Sequence, residues 1–586
     1  MSPLRTKGLI RALKNPVVLF GLFMLLFSLY KTLSDDPKYI IRSDGRGYYA
    51  YLPALAIFND SSFDASLNAE LDYIGKNQAP KYLVRTEDGD IHNKYFPGVA
   101  VLQAPFFVLA TAVSWIAGQP IDGYSEIYSF FFYFGSLFYV ILGLFLFHKV
   151  LLALFPNARN KIAWLIPIFY IATPIFHYSI NTPSFGHLYS FFLFAWFARI
   201  TLQLKNSPTR SRFLLLGIAL GLIVMVRPTN VLIVFALPIL LGDLESFKSF
   251  FRQIFEKRGR NFIIGILGFG SVLSLLFLIW KWESGNWLVW SYGGEGFNFT
   301  YPEFFPTLFS FRIGLFVHTP ILILAVVGAI YIYRRNAFRF LFWFVYLLLI
   351  TFIISAWWCW DYESPFGNRP FTEHLVFLLL PLVPLVIDKK RWITGMLMLF
   401  ALIGGLRIWS FNSGYMQNQR FTSSNYFSSL AVWNSDNVDR WNYTRSCKPY
   451  GEKIDVIVML DKPEIFNVSP DQEFLYMAEA ALHKPRSDER FYYRVELHKR
   501  VSDVPFSDVY LVIDAKNETT GKRYYYATEL FNDRFEGQEE WSELTFEGTI
   551  NDNLQEYDKV GIYIWNLGGQ KFSLRKTRFT LEEYKN

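Results

Sequence analysis

The chain is short of charge and of cysteine. Asp, Glu, Lys and Arg make up only 18% of its 586 residues, where a soluble chain carries nearer a quarter, which argues against a wholly soluble protein. The two cysteines, Cys359 and Cys447, give neither a metal-ligand nor a redox spacing, and nothing in their placement supports a disulfide. Apolar residues fill the gap: 52% of the chain is hydrophobic and 19% aromatic, with a mean hydropathy of +0.21.

These apolar residues are clumped. Runs of about 18 or more with almost no charge, the length a membrane-crossing helix needs, recur from Pro16 to Phe411 and then stop. The first run is too long, and too poorly followed by a small-residue cleavage site, for a removable signal peptide, so it is expected to stay as a first span. Charge divides the chain at the same place. Residues 412–586 carry 22 Lys and Arg against 28 Asp and Glu, leaving 35 against 22 before them. A pI near 9.0 would suit nucleic acid, but the basic excess lies beside the apolar runs. Orientation among membrane lipids explains it, and no nucleic-acid partner is expected.

Arg5, Lys7, Arg11 and Lys14 precede the first run, so the N-terminus should be cytoplasmic. Basic interruptions at Lys149–Lys161, Arg199–Arg212, Lys248–Arg260, Arg334–Arg339 and Lys389–Arg391 predict further cytoplasmic loops. About eleven spans then fall near 16–33, 127–147, 162–178, 186–204, 213–226, 229–242, 262–282, 313–333, 340–358, 374–388 and 392–411. Gly98–Gly118 is apolar enough to cross. Crossing would put the Lys149–Lys161 loop outside and the acidic turn of Asp122 and Glu126 inside, so this segment is expected to lie in or dip into the outer leaflet. The external stretches are 34–126, 283–312 and 359–373.

The expected architecture is a polytopic α-helical membrane domain over residues 1–411 and an external β-rich domain over 412–586. In that tail KIDVIVML, RFYYRVEL, DVYLVIDA, RYYYATEL and VGIYIWNL alternate or cluster β-branched and aromatic residues between turn residues, the pattern of an antiparallel sandwich.

The most informative stretch follows the first span: IIRSDGRGYYAYLPALAIF. Asp44 should lie just beyond the membrane, with Gly45 and Gly47 allowing a tight turn. Tyr48 through Phe58 reads as an amphipathic helix on the bilayer, its tyrosines at headgroup depth. One reading of Asp44 is the N-cap of that helix; the other is a functional carboxylate. Lys94, Arg227, Arg312 and Arg369 all fall at or near the expected outer surface, where the positive-inside rule explains none of them. Each alone could snorkel to headgroups. Together with an aspartate they suit an anionic, lipid-anchored phosphate. Tyr48, Glu126, His187, Asp361, Glu363 and His374 are further candidates for contacts to a sugar or acceptor. Trp357, Trp358 and Trp360 read first as an interface belt.

An Asp in the first external loop followed by a juxtamembrane helix, then Lys-x-x-Pro at Lys94–Pro97 opening a second, resembles the GT-C class of membrane glycosyltransferases. Protein O-mannosyltransferases and lipid A aminoarabinose transferases are the members it looks most like. GHLYSFF, MVRPTNVL, GLFVHTP and SPFGNRPF resemble bacterial proteins of that group, in scattered motifs over roughly 16–411. The resemblance implies an enzyme of the bacterial inner membrane that moves sugar from a polyprenyl-phosphate carrier to an external glycan, lipid or protein. It maps the catalytic Asp onto Asp44 and the donor-phosphate Lys onto Lys94. The Asp-Glu pair of the mannosyltransferases is Asp44–Gly45 here. No cofactor is firmly implied, and no divalent-metal motif stands out. YIWNLGGQKFSLRKTRFTL resembles the last strands of galactose-binding-type jelly-roll modules, so the tail could bind carbohydrate.

The chemistry fits independently. An acceptor hydroxyl must lose its proton as it attacks, which a carboxylate assists. The phosphate leaving group needs only stabilisation of its growing charge, which fixed cations supply. One displacement inverts the sugar, and one carboxylate suffices. The alternatives are a glycan ligase or polymerase using a diphosphate-linked donor, a non-catalytic sugar-binding membrane protein, and a transporter. A transporter would favour ionisable groups or broken helices at the bilayer midplane and paired inverted halves.

Overall fold

The computed structural model describes residues 16–34, 40–74, 82–85, 91–292, 296–362, 366–388, 391–412, 426, 452–469, 471–481, 489–500, 509–517, 523–530, 541–550, 558–566 and 571–585. The chain forms two compact units, residues 1–73 with 82–426, and residues 74–81 with 427–586.

The first unit is helical. In chain order its helices are α1 (Pro16–Ser34), α2 (Asp44–Pro53), α3 (Asp64–Ile74), α4 (Gly98–Ile116), α5 (Glu126–Leu154), α6 (Arg159–Ile171), α7 (Pro174–Asn181), α8 (Gly186–Asn206) and α9 (Arg210–Val226). Then come α10 (Leu237–Leu241), α11 (Leu244–Ser284), α12 (Phe304–Phe309), α13 (Leu315–His318), α14 (Ile321–Tyr333), α15 (Ala337–Ser355), α16 (Leu375–Leu378), α17 (Leu382–Asp388) and α18 (Arg391–Asn412). A two-stranded antiparallel ribbon, β1 (Leu83–Arg85) and β2 (Ile91–Asn93), lies between α3 and α4.

Five helical stretches among the described residues are long and apolar enough to cross a membrane: α4, α5, Gly259–Ser284, α15 and Trp392–Phe411. The bent pair α6 and α7, at 61°, makes a sixth if it counts as one span. Large apolar side chains stay exposed on them, Phe138, Leu267, Leu341 and Leu402 among them. Hydrocarbon, not water, is the solvent such faces suit. Helices of this length and composition suggest a membrane protein.

The eleven expected spans are not all regular helices. Arg227–Pro228 ends α9, because proline lacks the amide hydrogen and disfavours helical backbone in the residue before it. The expected 229–242 span is a 3-10 helix, Pro228–Ala236, running into α10. The 313–333 span is split into α13 and α14, and 374–388 into α16 and α17. The basic stretch Lys248–Arg260, expected as a loop, belongs to the 41-residue helix α11. Gly259 at φ +77° separates its amphipathic first part from the apolar second.

By length and hydropathy α4 qualifies as a crossing helix, which the charge-based expectation had set aside. The residues before it and the turn that leads from it into α5 nevertheless both touch α2. Just before it, the Tyr95 hydroxyl bonds Asp44; just after it, the Gly123 carbonyl accepts from the Tyr49 hydroxyl. In between it runs antiparallel to the first half of α5, with Tyr139 bonded to the Leu102 carbonyl and Tyr128 to Thr111.

The helix expected to rest on the bilayer is instead enclosed by protein: every residue of α2 from Gly45 to Pro53 is buried. Gly45 and Gly47 are not turn residues. They sit inside the helix, where a Cβ would collide with Ser184 and with Tyr82 and Tyr95, so their bareness permits close approach. Tyr49 packs edge-on against Phe107, Tyr124 and Phe132, with centroids 6.0, 5.7 and 5.3 Å away. A buried ion pair, Arg46 Nε to Glu70 Oε1 at 2.7 Å, ties α2 to α3, and the Tyr82 hydroxyl bonds Glu70 at 2.8 Å.

From residue 427 on, the regular elements of the second unit among the described residues are all strands: β3 (Glu452–Lys462), β4 (Phe466–Val468), β5 (Phe474–Ala481), β6 (Glu489–Arg500), β7 (Val509–Asn517), β8 (Arg523–Leu530), β9 (Trp541–Ile550), β10 (Asp558–Asn566) and β11 (Phe572–Lys585). They form two antiparallel sheets, β5-β10-β7-β8 and β3-β11-β6-β9, with β4 also on β11. Period-two alternation gives strands such as β10 one apolar face, while β7 is buried on both. Leu511, Ile513 and Ile562 from one sheet share a core with Val495, Leu497 and Leu574 from the other.

Candidate functional site

Asp44 is the first residue of α2. The cap position is Ser43, whose φ of 52° and ψ of −133° is a costly conformation for a residue with a side chain. No side-chain capping bond forms there. The Asp44 carboxylate is engaged elsewhere: Oδ2 lies 2.9 Å from Arg369 Nη2, and Oδ1 accepts the Tyr95 hydroxyl at 2.9 Å. Burial pushes this carboxyl up. The Arg369 guanidinium, the Tyr95 hydroxyl and the Lys94 charge together outweigh it, holding Asp44 below the ordinary carboxylate value and hence ionised.

Arg369 opens a 3-10 turn, Arg369–Phe371, two residues after Gly367 at φ +71°. Its guanidinium lies over the Phe185 ring at 4.8 Å and the Tyr362 ring at 5.9 Å, and the backbone of Tyr362 is itself at φ 52°.

Arg227 stands where α9 gives way to the 3-10 helix. Its Nη1 is 2.8 Å from His187 Nε2 and 3.1 Å from Nδ1, and His187 Nδ1 is 2.9 Å from Glu373 Oε2. A carboxylate can only accept and a guanidinium only donate. Nδ1–H therefore donates to Glu373, and Nε2, the nearer nitrogen, accepts from Arg227; this tautomer is assigned from the network. Asn230 Nδ2 donates to the other Glu373 oxygen at 3.2 Å and to Ser190 Oγ at 3.1 Å. Burial raises the Glu373 carboxyl, while the His187 hydrogen bond and the Arg227 charge bring it below its ordinary value.

Lys94 lies between β2 and α4 on a loop fixed from three sides. The Asn93 amide donates to Glu283 Oε1 at 2.6 Å, Asn93 Nδ2 to the Gly47 carbonyl at 2.7 Å, and the Tyr51 hydroxyl to the Tyr95 carbonyl at 2.7 Å. The Lys94 ammonium sits 5.6 Å from the Tyr292 ring centre.

A cavity of about 220 Å³ has Asp44, Lys94, Arg227 and Arg369 in its wall, with Tyr48, Glu373 and His374. The rest is largely apolar or aromatic, including Tyr292, Phe297, Ile350, Ile354 and Trp357. Such a wall can hold an anion at one side and an apolar or ring-shaped group at the other.

Not every residue singled out in the sequence reaches it. Arg312 pairs with Asp361 and lies over the Trp360 ring at 5.7 Å; neither Arg312 nor Asp361 is among the described residues lining the cavity. Glu126 is exposed at the first residue of α5, outside the wall. His187 stands behind Arg227, and His374 Nδ1 is 2.7 Å from the Tyr346 hydroxyl. Glu363 and Cys447 lie outside the described residues. Of the three tryptophans only Trp357 is in the wall, 4.9 Å from the Phe297 ring. One Asp-x-Asp sequence does occur in the first loop, Asp88–Gly89–Asp90, also outside the described residues. Sequence reasoning missed Tyr95, Tyr292, Asn230 and the role of Glu373. Their one local signal is adjacency: Tyr95 follows Lys94, and Glu373 follows Arg369 by one helical turn.

No family model matches the chain, and no curated protein matches it significantly.

Proposed function

We propose that the chain is an inverting glycosyltransferase of the GT-C kind, moving a sugar from a polyprenyl-phosphate carrier to an external glycan, lipid or protein. On this reading it sits in the bacterial inner membrane with about eleven apolar passes, its N-terminus cytoplasmic and its 412–586 domain outside as a jelly-roll-like module. One observation carries the reading: an ionised carboxylate, Asp44, shares a cavity wall with cations from three separate segments, Lys94, Arg227 and Arg369. Asp44 takes the proton of the acceptor hydroxyl as it attacks the anomeric carbon. The bond from that carbon to the carrier phosphate breaks, and the electron pair leaves on the phosphate, whose charge cations of the wall stabilise.

The test is direct. The purified full chain in lipid nanodiscs is given a panel of sugars linked to decaprenyl phosphate, with a short-glycan mixture as acceptor, and release of decaprenyl phosphate is followed by mass spectrometry. Wild type should release it with at least one sugar, and Asp44→Asn should not. Wild type that cleaves none of the panel would remove the proposal. A diphosphate-linked donor is the second reading, favoured by the number of cations in the wall; the same panel on decaprenyl diphosphate separates the two.

A further inference from the structure

Resting on that reading, we propose that the three cations divide the work: Arg369 serves Asp44, Lys94 and Arg227 bind the anion of the donor, and Glu373 acts through His187 as a positioning residue for Arg227.

The partners of each cation differ. Arg369 already faces a carboxylate at 2.9 Å, and both side chains are mostly buried, 14% and 18% exposed. Its Nε is buried with no hydrogen-bond partner, so the guanidinium is fixed by Asp44 and by the Phe185 ring beneath it. A second anion arriving there meets a neutralised pair. The direct partner of Arg227 is a neutral imidazole, and the nearby Glu373 carboxylate is hydrogen-bonded to that ring and to Asn230, so the guanidinium has no direct ion pair like that of Arg369 in the cavity it lines. Lys94 rests on aromatic faces and lines the same cavity. An ammonium and an oriented guanidinium are together suited to phosphate oxygens.

Glu373 explains how Arg227 keeps its orientation. The carboxylate is 1% exposed, and Asn230 fixes its second oxygen. It holds the Nδ1–H tautomer of His187, so that Nε2, an acceptor, is the atom that meets the guanidinium. Carboxylates that orient a histidine for a cation on its far side work in this way at metal centres; here the cation is Arg227.

The probe is farnesyl phosphate, binding to the full chain in detergent by calorimetry. Lys94→Gln and Arg227→Gln should each weaken it by about tenfold or more, the usual effect of losing a charged hydrogen bond. Arg369→Gln, with Arg369→Lys as the variant that keeps a partner for Asp44, should stay within about threefold while transfer collapses. Glu373→Gln should weaken binding by about three- to tenfold. In a His187→Gln background, Glu373→Gln should add nothing, because two residues in one relay are not additive; independent structural roles would add. An Arg369 variant losing as much affinity as Arg227→Gln overturns the division of labour, and additive effects of Glu373 and His187 overturn the relay. If wild type does not bind farnesyl phosphate at all, the donor assignment itself falls.

Discussion

Replacing Asp44 by Asn is the sharpest perturbation. The amide occupies the same space, and its oxygen still accepts the Tyr95 hydroxyl, now 2.9 Å from Asp44 Oδ1. It cannot take a proton, and it cannot balance Arg369. The first loss should lower transfer by about 10²–10⁴, the usual range for acid–base assistance. The second leaves a largely buried guanidinium with less compensation, costing roughly 1–3 kcal/mol of stability. This is below the ~3–5 kcal/mol of a fully buried broken pair, because the cavity admits water beside Arg369. Transfer in nanodiscs measures one effect and thermal unfolding the other. Near-normal transfer by a destabilised variant would reduce Asp44 to a counterion of Arg369. Near-normal transfer with unchanged stability would restore the capping role, since Asn caps nearly as well as Asp. The pH dependence carries a sign. The folded Asp44 carboxyl lies below its ordinary value of 3.8, so its contribution is complete above that value and fades as pH falls through the lower, folded one. The stability gap between wild type and Asp44→Asn should therefore be flat across neutral pH and close in acid below about pH 4.

Gly47→Ala should cost roughly 1–3 kcal/mol by overpacking against Tyr82 and Tyr95, and should lower transfer by displacing Tyr95 from Asp44; wild-type stability would mean α2 can shift freely. Deleting residues from about 450 onward should leave the membrane unit folded, because the strands have a core of their own. Loss of its unfolding transition on deletion would contradict that, while activity falling more on large acceptors than on small ones would mark the tail as a specificity module. A cysteine at Asp122 should react with an impermeant reagent from the non-cytoplasmic side, the side proposed for Asp44, because Tyr95 and Gly123, before and after α4, both bond α2. Labelling only from the cytoplasm would make α4 a crossing helix.

Asp44, Lys94, Arg227 and Arg369 were legible in the sequence because topology left their charges unexplained, and they share one wall. The same logic chose Arg312, which finds Asp361 instead. Local sequence cannot separate these cases, since both are arginines at the mouth of an apolar run. Glu373 was hidden for a related reason: nothing near it says that His187, 186 residues away, comes to meet it. The burial of α2 was missed because tyrosines at short spacing suit an interface and a packed core equally. Gly45 and Gly47, read as turn residues, were the sign: they lie on opposite sides of the helix, and each is pressed by a packed neighbour. The expected spans lose regularity where apolar runs contain proline. Hydropathy reads through Pro320 and Pro381, whereas the helices break there and protein must satisfy the freed groups. The tail was easier to read. Alternation in VGIYIWNL maps onto β10, and the near-continuous apolar run of DVYLVIDA onto β7, which is buried on both faces.

The nine-residue 3-10 helix after Arg227 has a consequence in length. Such a helix rises about 2.0 Å per residue, against about 1.5 Å for an α-helix. Pro228–Leu241 therefore reaches about 25 Å, where an α-helix of the same residues would reach about 21 Å. The tighter winding lengthens the segment, and it sets Arg227 at the far end of that reach. Rewinding those nine residues as α-helix would draw the guanidinium back by roughly 4 Å, more than the length of a hydrogen bond. The position of this charge in the cavity is thus set by how the backbone behind it is coiled, as the height of a needle is set by the pitch of its screw.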